Sequence, residues 1–208
     1  MSDEIVAVAR DHWSRVPDGV VSFGQGCEGE PLLEADALVE AVSALDGVSP
    51  RGTINLNSNA SLPDQVARLA EAGLDSMRIS LNSPRHDVYA AYYNPRHYGF
   101  ADVERSALEM KRRGKRVSIN LLYYPGVTDT PAEMEALSAF IHRARLDLVQ
   151  VRNLNVDPEL YESALPPGTV AQGTGVARFR RELSHRCPWM AFGYFNPTKE
   201  RYAELAVR

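Results

Sequence analysis

The chain has 208 residues, 44% of them apolar and 24% charged, which is the composition of an ordinary globular domain. A formal net charge of −4 argues against a general grip on nucleic acid. Only two cysteines occur, Cys27 and Cys187, far apart in the chain. That excludes a disulfide scaffold, a zinc site built on a CxxC pair, and an iron–sulfur cluster held by three or four thiolates of this chain alone.

The first residues carry charges throughout and do not read as a signal peptide, and no apolar run reaches the length of a membrane span. The expected location is the cytoplasm. Ile5, Val6, Ala9 and Trp13 share a face, predicting a helix over 2–15. Gly19 to Phe23 reads as a short buried strand. A helix over 34–45 turns Leu38, Val42 and Leu45 inward and stops before Gly47 and Pro50. Thr53 to Asn57 is the next strand. Its helix is opened by Ser61 and Pro63, buries Val66 and Leu69, and ends at Gly73.

The same unit then repeats, with strands over 76–81, 117–122 and 146–151 and helices over 100–113 and 131–143. Short strands rich in β-branched residues or Leu, each followed by an amphipathic helix, imply parallel pairing with helices outside. Beyond Asn153, Asp157-Pro158, Pro166-Pro167-Gly168 and Gln172 to Gly175 punctuate the chain heavily. Residues 158–208 are therefore expected to form a loop-rich extension packed on the barrel, with one helix over 176–185 and an aromatic stretch from Trp189 to Phe195.

Ligands of parallel α/β proteins bind beyond the C-terminal ends of the strands. Here those positions are polar and small: Gly24 to Pro31, Asn55 to Asn59, Ser80 to Ser83, Asn120 to Gly126 and Arg152 to Asn155. Any one of them is explained by Asx-turns and helix caps; five in succession suggest a polar small-molecule site. In Gly24 to Pro31, three glycines allow close backbone approach, and Glu28 and Glu30 could accept hydrogen bonds from a ligand ammonium. A glycine-rich turn with solvated glutamates is the plainer alternative. Lys111 to Arg116 fits a basic helix end better than a phosphate patch. The five histidines lack metal-ligand spacing. The tyrosine-rich stretch over 89–98, with Arg96, suits a substrate entrance or plain packing.

These segments resemble the core of the radical S-adenosylmethionine (radical SAM) superfamily. Gly29-Glu30-Pro31-Leu32-Leu33 is similar to its GGEP segment, Asn57 to Ala60 to its TNG segment, Ser80 to Ser83 to its SLD segment, and Tyr124 to Thr130 to its PG-x-T/N-D turn. The resemblance spans residues 1–157 and implies a partial (β/α) TIM-like barrel of about five parallel strands with outer helices. It departs at Glu28 and Ala60, each standing where the family has glycine, and it lacks the CxxxCxxC cluster loop and first strand.

The resemblance implies that Glu28, Gly29, Glu30, Ser58, Asn59, Ser80 and Asn82 hold S-adenosylmethionine, and that Asn120 and Arg152 face a substrate. It names no catalytic residue, and no metal ligand within this chain. A [4Fe-4S] cluster would belong only to a full-length form, which would cleave S-adenosylmethionine reductively to start radical chemistry on an unknown small molecule or peptide. The expectation is thus a truncated enzyme. A cluster-less small-molecule-binding or partner protein on the same barrel is the alternative. An unpaired edge on Val20 to Phe23 would invite homo-oligomers.

Overall fold

The computed structural model describes residues 2–24, 29–194 and 196–205. Helix α1 (Ser2–Arg15) precedes strand β1 (Val20–Phe23), and Pro31–Glu34 forms a 3-10 turn into α2 (Ala35–Leu45). The chain continues through β2 (Thr53–Ser58), α3 (Pro63–Ala72), β3 (Ser76–Leu81), α4 (His86–Tyr93), α5 (Phe100–Arg112), β4 (Arg116–Tyr123), α6 (Pro131–Ala144) and β5 (Leu148–Asn153). The remaining elements are α7 (Pro158–Ala164), α8 (Val176–Arg186), β6 (Ala191–Phe192) and α9 (Tyr202–Leu205).

All strands are parallel, in the order β1-β2-β3-β4-β5-β6. The expected open α/β barrel is present, with six strands rather than about five. The sixth, in the aromatic stretch, pairs Ala191 and Phe192 with Leu148 and Val149. Among the described residues, no helix is long and apolar enough to cross a membrane.

Alternation along the strands divides the sheet into two unlike faces. Ile54, Leu56, Met77, Ile79, Leu81, Val117, Ile119, Leu121 and Val149 are buried under the helices, against Leu69, Val103, Met110, Leu137 and Phe140. The intervening residues make the other, concave face. In register across it lie Ser22, Asn55, Ser76 and Arg116, then Asn57, Arg78 and Ser118, then Ser80, Asn120 and Gln150. A closed TIM barrel fills this space with layers of branched apolar side chains. Here it is largely polar, Leu148 beside Ser118 being an exception, and the main core lies on the helix side.

The end of the chain crosses the N-terminal rim of that face. The Lys199 amide donates to Thr53 Oγ1 at 2.8 Å, Glu200 takes a two-point bond from Arg51, and Tyr202 lies over the guanidinium of Arg116 at 4.8 Å. Ligand access is therefore from the opposite rim, at the C-terminal strand ends.

Candidate functional site

Three local devices build the upper rim. Gly24, at the end of β1, has φ +77°, and a Cβ there would meet the Asn57 carbonyl oxygen at 2.2 Å, so glycine is required. Asn57 Nδ2 donates to the Gly24 carbonyl at 2.7 Å and to Ser22 Oγ at 3.0 Å. Asn55 extends this network, donating to Ser22 Oγ and accepting from Ser76 Oγ, both at 2.8 Å. Glu30 caps the 3-10 turn. Its Oε1 accepts from the Leu32 amide at 3.1 Å and Ser58 Oγ at 2.7 Å, and its Oε2 accepts from the Asn59 amide at 2.8 Å.

One carboxylate thus ties the loop after β1 to the end of β2. Ser58 Oγ also accepts from the Ala60 amide at 2.8 Å, and Asn59 Oδ1 accepts from the Ser61 amide at 2.9 Å. Between them Ala60 adopts φ +57°, the left-handed conformation that glycine takes without strain, at the position where the family pattern has glycine.

These groups enclose a cleft of about 270 Å³ lined by Gly24, Gly29, Glu30, Pro31, Asn57, Ser58, Asn59, Arg78, Ser80 and Asn120. Of the sequence-predicted residues, it brings together Gly29, Glu30, Ser58, Asn59, Ser80 and Asn120. Glu28 lies outside the described residues. Asn82, just past the end of β3, does not line the cleft; it is 1% exposed and donates to the Val88 carbonyl at 3.0 Å. Arg152 is exposed beyond the cleft, its guanidinium over the Tyr194 ring at 5.2 Å.

Two residues went unmarked by the sequence reading. Arg78 is half-buried on the cleft floor, and its guanidinium donates to Gln150 Oε1 at 3.1 Å. Its mark in the sequence is a cation inside an apolar strand, between Met77 and Ile79, where a charge is seldom placed without a use. Gln150 is 1% exposed, and among the described residues its Nε2 has no partner; Asn120 Oδ1 is likewise buried with no donor among them. A ligand with both donors and acceptors fits such a floor.

An iron–sulfur cluster does not fit the described residues. No group of three or more His, Cys, Asp or Glu among them could hold a metal. Cys187 is fully buried in the helix-side core, where desolvation pushes its thiol up to about 11. Cys27 lies outside the described residues. Lys111 and Arg113 pair with Asp147 and with Glu71 and Glu109, and Arg116 lies under Tyr202, so the basic run is structural.

An all-parallel α/β half-barrel with a polar ligand cleft at its C-terminal strand ends is the class that fold and site define. The model of the radical SAM superfamily matches residues 2–138, and the chain belongs to that family. Its members use S-adenosylmethionine and a [4Fe-4S] cluster.

A curated relative from Synechococcus sp., "Probable dual-specificity RNA methyltransferase RlmN", is 31% identical over 162 residues, which cover 75% of this chain and 44% of that protein. Its counterpart from Gloeobacter violaceus is 27% identical over 143 residues, covering 67% and 40%. The chain thus spans less than half the length of the curated relatives it matches. A radical SAM methyltransferase from Sphaerobacter thermophilus shares the fold, with TM-score 0.61, 20% identity, and coverage of 95% of this chain and 57% of that one. So does Streptococcus suis SuiB bound to S-adenosylmethionine, with TM-score 0.55, 15% identity, and coverage of 91% and 43%.

Proposed function

We propose that this chain is the cofactor-holding part of a longer radical SAM enzyme and that S-adenosylmethionine lies across the ends of β1 to β4. Reductive cleavage of that cofactor at a cluster supplies a 5′-deoxyadenosyl radical, which starts chemistry on the substrate. The described residues hold no thiolates for a cluster, so their part in the reaction is binding and orientation.

Glu30 Oε2 accepts one hydrogen bond and keeps capacity for another, from the methionyl ammonium. Ser58 is already occupied by Glu30 and the Ala60 amide, so it positions Glu30. Asn59 Nδ2 and the Ser80 hydroxyl are the groups left for carboxylate and ribose. The kinship with proteins named as RNA methyltransferases supports methyl transfer as the reaction class.

The observation that carries this reading is Asn120. Its Oδ1 is buried in the cleft without a donor, as expected of a group that awaits a ligand hydroxyl or amine. Calorimetric titration with S-adenosylmethionine should show one site. Asn120→Leu should weaken it about tenfold or more, the cost of losing a buried hydrogen bond. A folded wild-type chain that takes up no S-adenosylmethionine would contradict the assignment.

A further inference from the structure

We propose that Arg78, Gln150 and Arg152 form an anion subsite on the β3–β5 side of the concave face, and that the substrate carries a phosphate or carboxylate group held there. The proposal rests on the cofactor reading above: Arg78 lines the cleft shared with Glu30 and Asn59, and Gln150 and Arg152 on β5 extend from it to the side left for the substrate.

Three observations support it. First, neither guanidinium pairs with a carboxylate among the described residues; Arg116, Arg145, Arg152 and Arg180 lie against aromatic rings, whereas half-buried Arg78 has only the neutral Gln150 amide. Acids outnumber bases in this chain, 27 to 23, so carboxylates were available. Second, the two cations lie to one side of the concave face: Arg78 donates to Gln150, and Arg152 is two residues beyond Gln150 along the same strand, hence on the same face. Burial lowers the affinity of Arg78 for its proton, and the charge of Arg152 lowers it further. An unpaired like-charge pair on a partly dry surface is unfavourable unless an anion joins it.

Third, the neutral group between them is oriented for an acceptor. Arg78 can only donate, so its bond to Oε1 fixes the Gln150 amide with Nε2 turned away from it. That Nε2 is buried without a partner. The Gln150 amide N–H thus lacks an acceptor, neither guanidinium has a carboxylate among the described residues, and a phosphate or carboxylate supplies two or three acceptors in one group.

The methionyl carboxylate of the cofactor is poorly placed to be that anion. Its amino end is assigned to the β1–β2 rim; Arg78 on β3 is within reach of that cofactor, but Gln150 and Arg152 on β5 lie three strands from β2, about 14 Å at the usual strand spacing.

The full chain is titrated at low ionic strength, in separate calorimetric experiments, with inorganic phosphate, with acetate and with S-adenosylmethionine. Melting curves accompany each variant. Wild type should bind one equivalent of phosphate or acetate, and the tighter of the two tells a phosphorylated from a carboxylated substrate. Arg78→Gln and Arg152→Gln should each weaken that anion about tenfold or more; Arg152 lies outside the cofactor cleft, so Arg152→Gln should hold S-adenosylmethionine affinity within about twofold. Arg152 is exposed, so its variant reports even where Arg78→Gln fails to fold.

In amide NMR spectra, the Gln150 side-chain resonance should move on anion addition. Absence of one-site binding overturns the proposal, as does binding that ignores both variants. Parallel loss of anion and S-adenosylmethionine in Arg152→Gln also overturns it, because Arg152 would then hold the cofactor carboxylate. If S-adenosylmethionine fails to bind while the variants still abolish anion binding, the cofactor reading falls and the anion site stands.

Discussion

Glu133 lies in the first turn of α6 with no solvent exposure. Its Oε2 accepts from Ser83 Oγ at 2.8 Å, and its Oε1 has no partner. Burial raises its pKa from 4.5 to about 7, with the Ser83 bond and Arg85 opposing the shift only in part. Because the folded pKa is the higher, the folded state binds the extra proton between those values. The stability contributed by this group is therefore intact below about pH 4.5 and falls as pH rises toward 7, by about 3 kcal/mol in all. Glu133→Gln should remove that slope. Urea midpoints at pH 5 and pH 8 check it: the variant should gain on wild type at pH 8, and a gap that does not change with pH would rule the linkage out. Single residues of this kind were legible only in part. Runs of polar residues at or near the strand ends point to Glu30, Ser58, Asn59, Ser80 and Asn120. Arg78 and Gln150 share strands or register with Ser80 and Asn120 but stand singly between apolar residues, so only side-chain alternation shows which face they meet.

At the scale of elements, the turn after β4 is held to the C-terminal segment by one buried side chain. Asp129, 2% exposed, accepts from the Gly126 amide at 2.7 Å through Oδ1 and from the Gly175 amide at 2.6 Å through Oδ2. Its backbone carbonyl accepts from the Thr174 amide at 3.1 Å. Asp129→Ala leaves two backbone N–H groups without acceptors and should cost about 2 kcal/mol or more in urea unfolding. Gly173→Ala should cost about 1–3 kcal/mol by overpacking, since its Cβ would come within 2.3 Å of Asp129 Oδ1. Gly173→Ala unfolding with the wild-type midpoint would show that the latch is loose.

Strand-helix units in the first 150 residues were readable because their periodicities are long enough to declare themselves. Helix α7 was read as loop, although Asp157 is its N-cap, accepting from the Leu160 amide at 3.0 Å, with Pro158 in the first turn. An Asp-Pro pair is a helix-start signal as well as a turn signal. Strand β6, two residues long, has no period to read; its pairing with β5 is decided by tertiary packing.

Considered as a whole, the molecule separates stability from binding by giving each a face of one sheet. Helix-side residues such as Phe140, fully buried and edge-on to Phe100 at 5.1 Å, carry the hydrophobic stabilisation. The concave face is left polar, and the chain's own tail shields it at the lower rim, where Tyr202 covers Arg116. That arginine is 8% exposed, and two of its nitrogens lack partners. Tyr202 is a cover over a charge, so removing it has two opposing effects. Aromatic burial and the cation–π contact are lost, while water regains the guanidinium. Tyr202→Ala should therefore cost about 1–2 kcal/mol, against about 3–5 kcal/mol for Phe140→Ala, where only a cavity results. Denaturant unfolding of both variants measures the contrast. Equal losses would mean that the tail belongs to the core; the expected inequality means that Tyr202 covers a polar surface at the lower rim.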